Sequence, residues 1–163
     1  MNWLEKEVPK LELCQELKEL GYPQDGEGYY WVKTKEGWKL AIKISNLWRI
    51  VGRYLGEKDE ESIRFGGCHC CAVDLEIEEK IKAPTCREME EWLVQDFYGC
   101  FFHTAKWKDT WFVYYMDKRG DLWFPNLSKA EVEGKNEPDA RAKMLIWLVK
   151  NKYISFKERK KNV

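Results

Sequence analysis

From Pro9 to Leu20 the apolar residues Leu13, Cys14, Leu17 and Leu20 recur at helical spacing, with Pro9 suited to a first turn and Gly21 and Pro23 closing the run. The stripe is narrow, which predicts a surface helix. Tyr29 to Thr34 and Trp38 to Ile44 read as two strands joined through Lys35, Glu36 and Gly37, where glycine supplies the positive φ of a tight connection. In the second strand Leu40, Ile42 and Ile44 alternate with Lys39, Ala41 and Lys43, predicting one buried and one wet face. Asn46 can cap a short helix that gathers Leu47, Ile50, Val51 and Tyr54 on one side and stops at Gly56. Glu57 to Glu61 is charged and has no apolar period, so it reads as a loop. From Cys71 the alternation of Cys71, Val73, Leu75 and Ile77 with Ala72, Asp74, Glu76 and Glu78 predicts a strand with an acidic outer face.

Signals are sharper in the second half. Thr85 and Glu88 have the spacing of a capping box, in which hydroxyl and carboxylate each satisfy an orphan amide, and Met89, Trp92 and Leu93 supply the buried stripe of a helix over Cys86 to Gln95. Three strands are expected next, at Phe97 to Ala105, Thr110 to Met116 and Asp121 to Pro125. The Asp117 to Gly120 link suits a type I turn with a bulge between the last two. A polar loop from Ser128 to Asn136 leads to the last helix. There Asn136 is the N-cap, Pro138 lies in the first turn, and Ala140, Met144, Leu145, Trp147, Leu148 and Val149 make an apolar face wide enough for the centre of the core.

The three C-terminal strands are apolar on both faces: Phe101 and Ala105 oppose Phe102, and Phe112, Tyr114 and Met116 oppose Trp111, Val113 and Tyr115. A sheet covered by helices on one side alternates with polar residues. The second face therefore needs its own cover: the N-terminal half, another subunit, or a ligand. The fold class this predicts is α+β, a C-terminal helix-β-β-β-helix unit around an antiparallel sheet, with the N-terminal helix and β-hairpin packed alongside. Residues 1–82 and 83–163 divide the chain into these two parts of one folded body.

Nine Trp, eight Tyr and seven Phe make up 15% of 163 residues, and that ring surface is enough to bury a core despite 34% charged residues. With 28 basic against 28 acidic residues there is no net field to hold a polyphosphate, which disfavours salt-driven duplex binding. The local exception is Lys150 to Val163, where six basic residues face only Glu158; it reads as a solvated tail. No apolar run is long enough to span a bilayer, and Met1 to Pro9 has no apolar stretch of the kind a signal peptide uses. A cytoplasmic chain with reduced thiols is expected, so Cys14, Cys68, Cys70, Cys71, Cys86 and Cys100 read mainly as small buried hydrophobes rather than a disulfide framework.

Two constellations could carry chemistry. Cys68 and Cys71, after Gly66 and Gly67, form a C-x-x-C, and Cys100 with His103 forms a C-x-x-H; together they are a candidate structural zinc site. Cys100 and His103 fall in an expected strand, where residues three apart face opposite ways, so a shared ion needs a bulge. The second constellation is aromatic: Trp31, Trp38 and the run Lys106, Trp107 and Lys108 join flat rings to lysines, the ingredients for stacking a base while a cation holds its phosphate. Trp107, in an expected turn, is the ring with most reason to meet a partner. No nucleophile elbow, P-loop, metalloprotease or dinucleotide motif occurs, and no catalytic residue can be assigned.

Three segments, Leu11 to Gln24 (LELCQELKELGYPQ), Ala83 to Leu93 (APTCREMEEWL) and Asp139 to Ile154 (DARAKMLIWLVKNKYI), resemble small proteins encoded by bacteriophages and prophages. The resemblance leaves out Asn46 to Ile81, which reads as an insertion. It implies a setting, the cytoplasm of an infected or lysogenic bacterium, and brings no catalytic residues. The element order from Thr85 to Ile154 also resembles that of a double-stranded RNA-binding domain. The basic positions such a domain needs at the start of its last helix are here Glu137, Asp139, Arg141 and Lys143, half of them acidic.

The leading expectation is a non-enzymatic phage accessory protein acting by binding, to a host protein or defence component, or by self-association. The first alternative is a binder of a nucleotide or single-stranded nucleic acid on exposed Trp and Lys; the second is a small zinc-stabilised or cysteine-dependent enzyme.

Overall fold

The computed structural model describes residues 6–45, 77–93, 97, 99–120 and 133–157, together with the backbone of 47–50. Its elements run α1 (Leu11–Glu19), β1 (Gly28–Thr34), β2 (Gly37–Ile44), β3 (Leu47–Ile50), β4 (Glu79–Lys82), α2 (Cys86–Leu93), β5 (Cys100–Trp107), β6 (Thr110–Asp117), β7 (Glu133–Gly134) and α3 (Glu137–Lys150). Two antiparallel sheets form, one in the order β3-β2-β1-β4 and the other β5-β6-β7. This is the α+β arrangement expected, with the N-terminal helix and hairpin beside a helix, strand and helix unit.

α3 sits between the two parts, packing on β6 and β7, on α2 and on α1, which in turn reaches β4. Its start follows from the sequence: the Asn136 side chain accepts the amide of Asp139 at 2.8 Å, and a proline occupies the first turn. Gly134 permits the chain to enter the helix, since a Cβ there would lie 2.5 Å from the Ala140 nitrogen. Met144, Leu145 and Leu148 of α3 are fully buried with Leu17, Met89, Leu93, Val113 and Tyr115. Tyr22, Trp92 and Phe156, from three separate parts of the chain, close this core: Phe156 meets the other two rings edge-on at 5.2 and 5.0 Å, and Tyr22 meets Trp92 at a tilt at 6.3 Å.

α2 begins with the expected capping box. The Thr85 amide donates to Glu88 Oε2 at 2.8 Å, and the Glu88 amide donates to Thr85 Oγ1 at 3.3 Å. The other carboxylate oxygen of Glu88 takes Lys82 Nζ at 3.0 Å. The Lys82 side chain is 5% exposed; its ammonium also donates to the Glu27 carbonyl and lies 4.9 Å over the Tyr30 ring. A further bond joins the halves, and a second cluster ties α3 to α2 and β5 within the C-terminal half. The Lys10 amide donates to Asp139 Oδ1 at 2.9 Å, while Arg141 is held by Glu137 and the Cys86 carbonyl, with its guanidinium over Phe102. Among the described residues no buried side-chain nitrogen or oxygen lacks a hydrogen-bond partner.

Several expectations are corrected. Leu47 begins a strand, not a helix: Ile44 pairs with Leu47 across a two-residue step with Ser45 at φ 54°, so Leu47–Ile50 add to the edge of β2. An isolated short helix is marginal, and a ladder on a preformed edge outcompetes it. Val51, Tyr54, Gly56 and the loop Glu57 to Glu61 lie outside the described residues, as do Cys71 to Glu76. Beyond them the structure forms a strand at β4, after Ile77. Its sequence of Glu79, Lys80, Ile81 and Lys82 hides the strand because only Ile81 is an apolar core residue, and Lys82 is buried through its ion pair instead.

In β2 the expected alternation is not clean: Leu40 and Ala41 are both buried, on opposite faces, and Ile44 is exposed. One face of that sheet packs Leu40 and Ile81 against Val8 and Cys14; the other buries Tyr30, Val32 and Ala41 with Ile77. β5 starts at Cys100 rather than Phe97, because Gly99 at φ 79° turns the chain and the Cys100 amide donates back to the Phe97 carbonyl at 3.0 Å. The expected strand Asp121 to Pro125 lies outside the described residues, and the third strand of that sheet, β7, forms inside what reads as a polar loop.

Candidate functional site

The hairpin of β5 and β6 turns on two residues, Lys108 and Asp109, with Lys108 at φ 54°, and pairs without interruption from Trp107 and Thr110 to Cys100 and Asp117. Period-two geometry then sorts the side chains. Toward α3 point Phe102, Val113 and Tyr115, where the Tyr115 hydroxyl donates to the Leu93 carbonyl at 2.6 Å and burial pushes its ionisation up. Away from α3 point four cross-strand pairs: Phe101 with Met116, His103 with Tyr114, Ala105 with Phe112, and Trp107 with Thr110. The imidazole of His103 stacks on the Tyr114 ring at 5.6 Å with 15° between planes. Phe101 is 45% exposed and Trp107 70% exposed, so the described residues of the N-terminal half do not close over these two rings.

The sequence-derived residues separate accordingly. Lys106, Trp107 and Lys108 stand together at the exposed hairpin tip, and Lys106 Nζ lies 5.9 Å from the centre of the Trp111 ring. Trp31 and Trp38 are elsewhere, half-buried against the N-terminal cluster of Val8, Cys14 and Ile81; the Trp31 indole N–H donates to the Pro9 carbonyl at 3.1 Å. Cys100 is buried facing the core while His103 is exposed on the other side of β5, so the strand does not bring that C-x-x-H pair together. Cys68 and Cys71 lie outside the described residues. Among the described residues no group of three or more His, Cys, Asp or Glu is placed to hold a metal ion.

The described thiols near polar groups are poor nucleophiles. Burial, with the charge of Asp139 behind it, pushes the Cys14 thiol far up, and it donates to the Pro9 carbonyl. Burial, and then Glu137, pushes Cys86 up to about 12. At the start of α3, Arg141 is bonded inside the protein and Lys143 Nζ donates to the Glu133 carbonyl, so neither is presented to an RNA backbone as the double-stranded RNA-binding likeness requires.

No family model, curated protein or solved structure matches the chain. Among the described residues no helix is long and apolar enough to cross a membrane. The sequence separated Phe101, Phe112, Tyr114 and Met116 from the opposite set; what it missed is that this set is the uncovered one and that His103 stacks within it. Its signal was present in the two-sided apolar pattern of these strands, but pattern alone does not say which side the helix takes.

Proposed function

We propose that the chain is a non-enzymatic accessory protein of a bacteriophage or prophage that acts by binding, and that the outer face of β5 and β6 receives a host protein or defence component. The observation that carries this reading is the exposure of Phe101 and Trp107 on one continuous apolar face that also bears Phe112, Tyr114 and Met116. Aromatic and methionine side chains gathered on a protein surface are what interface centres are made of. The phage setting rests on the resemblance of the three segments quoted above. The test is affinity capture from a bacterial lysate with wild-type protein and with F101S and W107A. A protein partner retained by the wild type and lost by variants of unchanged thermal stability supports the reading; equal retention by all three refutes the site.

One observation favours a second reading, a nucleotide or single-stranded nucleic acid. Trp107 stands between exposed Lys106 and Lys108, so a base could stack on the ring with its phosphate near an ammonium. Tryptophan fluorescence during titration with nucleotides and short oligonucleotides tests it. Quenching in the wild type that W107A abolishes is the supporting result, and no quenching at about millimolar ligand refutes it.

A further inference from the structure

We propose that two copies of this chain associate through the outer edge of β5, pairing antiparallel about a two-fold axis at Thr104 so that their β5-β6-β7 sheets join into one. Among the described residues β5 is the last strand of its sheet. In a hairpin with a two-residue turn the flanking pair, here Trp107 and Thr110, is the hydrogen-bonded one. Trp107, Ala105, His103 and Phe101 thus direct their backbone groups to β6, and Lys106, Thr104 and Phe102 direct theirs outward. That outward row belongs to an eight-residue strand with no proline and no bulge in its register. Edges exposed to solvent normally carry such protection, and here Lys106, at the end of the row, is the one lysine on the strand.

The occupant follows from self-complementarity. With Thr104 on the axis, Phe102 of one copy faces Lys106 of the other and Thr104 faces Thr104, so all three outward residues of each strand exchange both of their backbone bonds. On the outer face the same register sets Phe101 against Trp107 of the second copy and His103 against Ala105, with no like charges opposed. Of the two neighbouring registers that keep the faces matched, the one centred on His103 brings in Cys100, whose amide is already given to Phe97, and leaves Trp107 opposite Gly99; the one centred on Ala105 sets Phe102 against Lys108 in the turn. With a formal net charge of zero, the two copies do not repel at long range. The inference goes beyond the binding reading, because it uses the backbone edge of β5 and is read on the purified chain alone.

Sedimentation velocity of the purified full chain tests it. The wild type is expected as a dimer at roughly 100 μM, the range that a small interface of this kind fills. F101K/W107K sets lysine against lysine twice across the axis and should weaken dimerisation roughly tenfold or more; F101E/W107K sets unlike charges at the same places and should recover most of the loss. Both positions are solvent-exposed, and circular dichroism of each variant reports that it is folded. A monomeric wild type at that concentration overturns the proposal. So does a dimer indifferent to both variants, or an F101E/W107K protein no more dimeric than F101K/W107K. A monomeric chain that still captures a foreign protein on the outer face would leave the binding reading standing and this one refuted.

Discussion

Replacing Glu88 by Gln should destabilise the protein far more than replacing Lys82 by Met, although both remove the same ion pair. The asymmetry comes from burial. The Lys82 side chain is 5% exposed and that of Glu88 33%, so E88Q strands an ammonium in the interior while K82M strands a carboxylate that still reaches water. Glutamine also keeps the capping box, because its side-chain oxygen can accept the Thr85 amide and its own amide still donates to Thr85 Oγ1. The measured loss therefore reports the ion pair rather than the helix start. Breaking a fully buried pair costs about 3–5 kcal/mol. Lys82 keeps the Glu27 carbonyl and the Tyr30 ring face, which lowers the expectation for E88Q to about 2 kcal/mol, or roughly 4–8 °C in Tm for a chain of this length.

K82M leaves a methylene stem of similar volume against Tyr30 and is expected to cost about 1 kcal/mol or less. Denaturant unfolding of both variants and the double variant, at low salt and at about 1 M salt, completes the cycle. The E88Q loss should persist in salt. By contrast K18A, which removes the exposed pair to Glu79, should cost about 0.5 kcal/mol at most and fade with salt. E88Q costing no more than K82M, or an E88Q loss that salt erases, refutes the claim that this pair is a buried tie between β4 and α2.

Three further outcomes are expected. K108G should stabilise the protein by about 0.5 kcal/mol, since Lys108 sits at φ 54° where glycine has no steric penalty, the gain being reduced by glycine's unfolded-state freedom; thermal melts check it. Burial first, partly offset by the Lys10 amide, holds the Asp139 carboxyl above the usual carboxylate range. Its contribution to stability is therefore fullest below the unfolded value and is lost as pH rises through the folded one. D139N, which still accepts the Lys10 amide, should compare best with wild type near about pH 7 and lose that advantage toward about pH 4, read by denaturant unfolding at each pH. Alkylation at about pH 7.5 followed by peptide mapping should leave Cys14 and Cys86 unmodified in the native protein, the thiols held protonated by burial, and label both in denaturant.

How far the fold is legible depends on whether local signals and tertiary packing agree. At α2 and α3 they agree: the Thr85 and Glu88 box, the Asn136 cap and the wide apolar face of α3 are satisfied as the sequence implies. At Leu47–Ile50 they compete, because helical spacing of apolar residues is the only local cue and pairing with β2 supersedes it. β4 gave almost no cue: Lys82 reads as a surface residue until Glu88, six positions on and in another element, makes its burial affordable. Ion pairs between elements are invisible to periodicity, so a strand held by one is invisible as well.

The outer sheet face shows the same limit from the other direction. Phe101, Phe102, Trp111, Phe112, Val113, Tyr114 and Tyr115 form two apolar sets along β5 and β6, and sequence cannot tell them apart because each satisfies the strand period equally well. The difference is imposed from outside the strands. Gly134 lets α3 enter close beside β7, the Tyr115 hydroxyl finds the Leu93 carbonyl, and Arg141 lies over Phe102, so these contacts fix which set is inside. With α3 on that side, Phe101 and Trp107 of the other set remain exposed. An apolar face with this origin differs from scattered surface hydrophobics: it is what remains when a two-sided strand pattern receives one cover. Its pairs, His103 on Tyr114 and Ala105 on Phe112, are set by the same register that points the backbone of Phe102, Thr104 and Lys106 outward. Face and edge are therefore presented together, and a change that shifts the β5 and β6 register should abolish both of the proposed associations at once.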